Sequence, residues 1–249
     1  MIKFFRKIRQ NLLIENKTGA YFKYAIGEII LVVIGILIAL QINHWNENRK
    51  ENSSLQILTE NLNNEFEKNL IELELDISRI EKKISSIKTL LSYTGINNIK
   101  IEEVKMDSLL FEAIENPTWN PSSYVLNDIK ISGKLSTLKN EDLKLLLFDW
   151  DRLYEDILEW HISLNTTSAS INEVITKNGS FVNIDNYNNS RNKASKFDIK
   201  NLGLLQEIRF ENVLENNLFA TIGLEKRYRK ATILIAKIID SSKNDNFNK

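Results

Sequence analysis

Cysteine is absent from this 249-residue chain, and proline (2 residues), histidine (2) and glycine (8) are scarce. Without cysteine there can be no disulfide scaffold, no thiolate nucleophile and no Cys-ligated metal. So little glycine and proline excludes a collagen-like chain. The 33 basic and 33 acidic side chains cancel, which removes the strongly basic nucleic-acid-binding class. The length allows one or two domains with a real core.

What the chain does have is one long apolar run. Residues Ala25 to Ile42 read AIGEIILVVIGILIALQI, unbroken from Ile29 to Leu40. With Tyr24 the segment reaches about 28 Å as a helix, enough to span a bilayer core. Glu28 and Gln41 lie near its two ends, and Tyr21, Tyr24 and Trp45 stand where interfacial aromatics usually stand. Before the span lie Lys3, Arg6, Lys7, Arg9, Lys17 and Lys23 against the single acid Glu15, whereas only Arg49 and Lys50 are basic in the first stretch after it. The positive-inside rule then predicts a cytoplasmic N-terminus and a C-terminal part on the far side. The run is too long for a cleaved signal peptide and has no small-x-small pair near Ala39, so it reads as an uncleaved signal anchor. Residues 1–23 form the cytoplasmic segment, in which Ile2, Phe5, Ile8 and Leu12 share a helical face. A short basic helix on an anionic leaflet or a plain topogenic tail both fit that face. Gly35 and Ala39 form a small-xxx-small pair of the kind that seats a second membrane helix. Residues 43–249 carry a net charge of −4. A domain of that sign has no electrostatic reason to bind nucleic acid.

The opening, FFRKIRQNLL through ENKTGAYFKYAIGEIILVVIGILIALQINHWNE, resembles an uncharacterised family of single-span proteins abundant in flavobacteria and their relatives, a domain of unknown function. A second stretch, Ser122 to Trp150, is similar to the same family through Leu126, Ser132-Gly133-Lys134-Leu135 and Asn140. The two cover about a third of the chain. The resemblance implies an inner-membrane anchor with a periplasmic helical part, and it brings no catalytic residues. Asp107-Ser108-Leu109 resembles the short acceptor motif for periplasmic O-glycosylation in this bacterial group.

Past Trp45 the apolar pattern is helical throughout. Phe66, Leu70, Leu73, Ile77, Ile80, Ile84, Ile87 and Leu91 step alternately by four and three, a heptad seam extended backwards by Leu55, Leu58 and Leu62. Thr94-Gly95 supplies a left-handed stop, so a helix over about 46–94 is predicted, roughly 70 Å long, that continues the membrane helix outward. Asn140 is an N-cap, followed by Glu141 and Asp142 in the first turn. The helix it starts, 141–178, has a seam of Leu143, Leu147, Trp150, Tyr154, Ile157, His161, Leu164, Ser168, Ile171 and Ile175. Leu146, Leu153, Trp160 and Val174 widen the stripe towards bundle packing. A third helix over about 202–241 places Ile208, Leu218, Ile222, Ile233, Ile235 and Ile238 among its apolar positions, with a weak point near Asn216-Asn217 or Gly223. Shorter helical pieces over 102–115 and 122–132 flank an elbow around Trp119, bracketed by Pro117 and Pro121. Residues 180–200 read as a loop and the last eight residues as frayed. The expected fold class is all-α: a single transmembrane helix (24–42) followed by an extramembrane antiparallel long-helix bundle (43–249).

No catalytic, cofactor or metal site is expected. His44 sits at the membrane interface and His161 on a seam, where a core histidine is the ordinary reading. Asp149, Asp151, Glu155, Asp156 and Glu159 invite a metal, but the Glu-x-x-His pair of di-metal bundles fails because Leu158 stands three before His161. Ser132-Gly133-Lys134 lacks the strand and Gly-rich run of a phosphate loop. Trp119, Trp150, Tyr124 and Tyr154 line either a small pocket or the core. The expected function is an interaction or scaffold module, tethered to the bilayer through residues 24–42 and pairing with itself or with another membrane protein. Homodimerisation is expected through the Phe66–Leu91 seam. A periplasmic sensory or ligand-binding bundle is the alternative, with only about 23 residues left to signal on the cytoplasmic side. An envelope-polymer enzyme built on the Asp149–Glu159 carboxylates is a distant third.

Overall fold

The computed structural model describes residues 18–97, 100–187 and 194–244. The proposed surface helix near residues 2–13 and the chain's last five residues lie outside that range. The chain divides into two compact units, Met1–Ile57 and Leu58–Lys249.

All regular structure in the described residues is helical. Helix α1 runs from Thr18 to Tyr93 as one element of 76 residues. In the first unit its apolar side chains face outward: Ile29 is 63% exposed and Leu31 61%. An apolar run left in contact with solvent on every face has the character of a membrane span, and its length and composition suffice for one.

In the second unit α1 is followed by α2 (Glu103–Ile114), α3 (Tyr124–Ile131) and a 3-10 turn at Lys134–Thr137. Next come the long α4 (Glu141–Asn178), the short α5 (Phe181–Tyr187), a 3-10 turn at Asn201–Gln206 and α6 (Ile208–Asn244). Tertiary pairs fix the directions. Asn63 bonds Ile239 and Ser242, Glu81 pairs with Arg229, and Thr94 bonds Glu211, so α6 runs antiparallel to α1. Asn140 bonds Ser241 and Asn178 bonds Glu207, so α6 is antiparallel to α4 as well.

The α4 seam matches its periodicity: every seam residue is buried except Tyr154, which is half-buried. On α1 the seam is half right. Phe66, Leu73, Ile80 and Ile87 are fully buried, but Leu70, Ile77, Ile84 and Leu91 are only half-buried. The true second stripe is Leu62, Asn69, Asp76, Lys83 and Leu90, three of whose members are polar. This stripe and Phe66–Ile87 are turned into the chain's own core.

The third helix also differs from the sequence reading. A 3-10 turn precedes it, and Ile208 and Ile233 are exposed rather than core. No break occurs at Asn217 or Gly223. Asn217 is buried and donates to Thr167 and Ser168 of α4, which satisfies it inside the helix pair. Gly223 is required by a close approach: a Cβ there would lie 1.8 Å from the Trp160 ring, against which Arg227 stacks at 4.2 Å. The stretch read as a loop over 180–200 contains α5. The stops hold as read at Gly95 and Gly133, both left-handed with φ near 70°. Asn140 caps α4 by accepting the Leu143 amide at 2.9 Å.

Candidate functional site

The most polar part of the interior is built around the strap, residues 115–123, which joins α2 to α3 without regular structure. An irregular segment cannot satisfy its own backbone groups, so other elements must supply the partners. Here α1 does so with the polar stripe. Lys83, fully buried, donates to the carbonyls of Ala113 at 2.5 Å and Glu115 at 2.9 Å and to Asn116 Oδ1 at 3.2 Å. Three acceptors match the three donors of an ammonium, and the two carbonyls are ones the C-terminus of α2 leaves open. Burial nonetheless pushes the Lys83 ammonium down to about 7, against the pull of Glu115.

At the other end Asn69 brackets Ser122, accepting from its amide and donating to its carbonyl, both at 2.8 Å. Glu65 accepts from the Ser122 hydroxyl at 2.6 Å and from the amides of Val125 and Leu126. It thereby caps the N-terminus of α3 from a different helix, where a negative charge is favoured. Asn69 and Lys83 are two heptads apart, about 21 Å along α1.

Midway along the strap, Trp119 turns inward and is 1% exposed. Its ring meets Trp150, Tyr154 and Tyr228 edge-on at centroid distances of 5.8, 6.5 and 5.8 Å, and Trp150 also meets Phe66 edge-on. These contacts are core packing. Tyr124 takes no part in it, being 81% exposed. The Trp119 indole N–H has no oxygen or nitrogen partner.

The Trp119 backbone N–H donates to Tyr228 Oη at 3.0 Å, and that oxygen lies 2.7 Å from His161 Nε2. One hydroxyl hydrogen is available, and the Trp119 amide already occupies an acceptor position on the oxygen. The arrangement that satisfies the Trp119 amide, the phenol and Nε2 together has Tyr228 donating to a neutral His161. Burial holds the His161 imidazole below its usual range, opposed by the Asp76 carboxylate, and pushes the Tyr228 phenol well up. Sequence reasoning located His161 in the core but missed Tyr228, Asp76 and Lys83. The only available signal was the seven-residue spacing of Asn69, Asp76 and Lys83, each three positions after a seam residue.

The other marked residues are dispersed. Asp149 pairs with Arg152, Asp151 with Lys130 and Asp156 with Arg227. Among the described residues no group of three or more His, Asp or Glu side chains could hold a metal ion. An open groove of about 500 Å³ between α4 and α6 is lined by Asp149, Leu153 and Asp156 together with Lys230, Leu234 and Lys237. Gly133 ends α3 and leads into a 3-10 turn rather than a phosphate loop. Ser108 is 9% exposed and donates to the Lys105 carbonyl, so the Asp107-Ser108-Leu109 motif is folded into α2, where a glycan has no room. His44 lies on an exposed turn of α1 near Glu47.

No curated protein and no solved structure matches this chain. The model of a family of unknown function, DUF6090, matches residues 28–216. That range includes nearly all of the apolar run, the polar stripe, the strap and all of α4. The chain therefore belongs to the DUF6090 family of unknown function.

Proposed function

We propose that this chain is a single-pass inner-membrane protein whose N-terminus lies in the cytoplasm. Residues 43–249 then form a periplasmic antiparallel helical bundle that serves as an interaction or scaffold module. The charge asymmetry around residues 24–42 supports the orientation. The observation that carries the role is the use made of buried polar chemistry: Glu65, Asn69 and Lys83 all bind the chain's own strap, holding a shape rather than opening on a reaction space. Homo-oligomerisation or pairing with a membrane protein then falls to surfaces other than the α1 seam.

The groove between α4 and α6 favours a second reading, a sensory or ligand-binding bundle that signals through a separate partner. Extraction of the tagged full-length protein from native membranes in mild detergent separates the two. The scaffold reading predicts a stoichiometric second protein, or a defined homo-oligomer, that survives purification. A lone monomer whose thermal stability rises with a small metabolite would overturn it in favour of the second reading.

A further inference from the structure

The Tyr228 hydroxyl sits at a branch: it holds the strap through the Trp119 amide on one side and His161 on the other. We propose that this chain of hydrogen bonds is a proton-operated latch, in which protonation of His161 frees Trp119 and lets the strap leave the core.

The argument is a count of hydrogens. With His161 neutral, Tyr228 donates to Nε2 and accepts from Trp119, and both bonds are made. With His161 protonated, Nε2 becomes a donor, so Tyr228 Oη must accept from both sides. Its own hydrogen then loses the His161 acceptor, and a buried donor that loses its partner is destabilising. The Trp119 side is the one that yields, because the strap has no regular structure whereas His161 is fixed within α4. Departure of the strap costs the Trp119 ring its packing and admits water that satisfies both the amide and the phenol.

The groups around His161 are few. Asp76 faces it from α1, itself bonded to Arg79 at 3.0 Å, and favours the charged ring. Tyr228 faces it from α6, whose neighbouring Arg227 and Arg229 pair with Asp156 and Glu81. Tyr154 lies two turns earlier on α4 itself, and the strap contributes only Trp119. Burial outweighs Asp76, so the closed latch disfavours the proton and the open latch takes it.

The test is amide exchange over residues 117–122 in the full-length protein in nanodiscs, corrected for intrinsic rate, from about pH 7.5 to about pH 5. One coupled proton predicts that opening rises about tenfold per pH unit below about pH 6.5, levelling once the closed form itself binds the proton. His161→Gln keeps an acceptor but cannot titrate, so its profile should be flat. Tyr228→Phe, which removes the hydroxyl but leaves His161 buried, should exchange faster than wild type near pH 7.5 and show a shallower slope. A flat wild-type profile would overturn the latch, as would a slope retained in His161→Gln or an undiminished one in Tyr228→Phe. If His161→Gln does not fold, Tyr228→Phe alone decides.

Discussion

Lys83 is a cation placed where the heptad pattern calls for an apolar side chain, and three acceptors surround it. Its folded pKa of about 7 lies below the ordinary 10.5. Between those values the unfolded chain holds a proton that the folded chain has released, so folding stability gains as pH rises through that window. Relative to Lys83→Met, the wild-type protein should gain at most about 1.4 kcal/mol per pH unit over that window, read by chemical denaturation. A pH-independent difference between the two would show that Lys83 stays charged in the fold. Such residues were hard to read in advance for a simple reason: a polar side chain at a buried position and one on a solvated face look the same in a sequence. Only the partner, here a strap some thirty residues further on, distinguishes them.

At the scale of elements, α3 is a short helix whose start depends on Glu65 of α1 rather than on its own sequence, since Ser123 makes no side-chain cap. Glu65→Ala should therefore remove the acceptor of the Ser122 hydroxyl and of the Val125 and Leu126 amides, of which the last is buried, and cost about 2 kcal/mol in denaturant unfolding. Glu67→Ala, two residues on, breaks only the surface pair with Lys243 and should cost under about 1 kcal/mol. Equal losses would contradict the capping role. The local parts of this architecture were legible: Asn140 as a cap, Gly95 and Gly133 as stops, and the α4 stripe all follow from rules acting over a few residues. The exposure of Ile208 and Ile233 and the continuity of α6 through Gly223 were not, because long-range contacts decide them. Gly223 looks like a helix weakness until Trp160 of α4 is seen against it.

For the molecule as a whole, the apolar run of α1 and the family match establish a long apolar N-terminal helix in a DUF6090 chain. The candidate site was the least legible feature, since it is made of backbone groups in the strap answered by side chains from α1 and α6, with His161 of α4 behind Tyr228. The proposed topology, with the strap and its latch on the far side of the inner membrane, rests on the charges that flank the span. The absence of native cysteine makes it directly measurable. Single-cysteine variants Asn16→Cys and Asn64→Cys would be treated in intact spheroplasts with a maleimide that cannot cross the membrane. The proposed topology predicts that Asn64→Cys is labelled at once, and that Asn16→Cys reacts only after the membrane is opened. Labelling of Asn16→Cys in intact cells with Asn64→Cys protected, or release of the protein from membranes by alkaline carbonate, would contradict it.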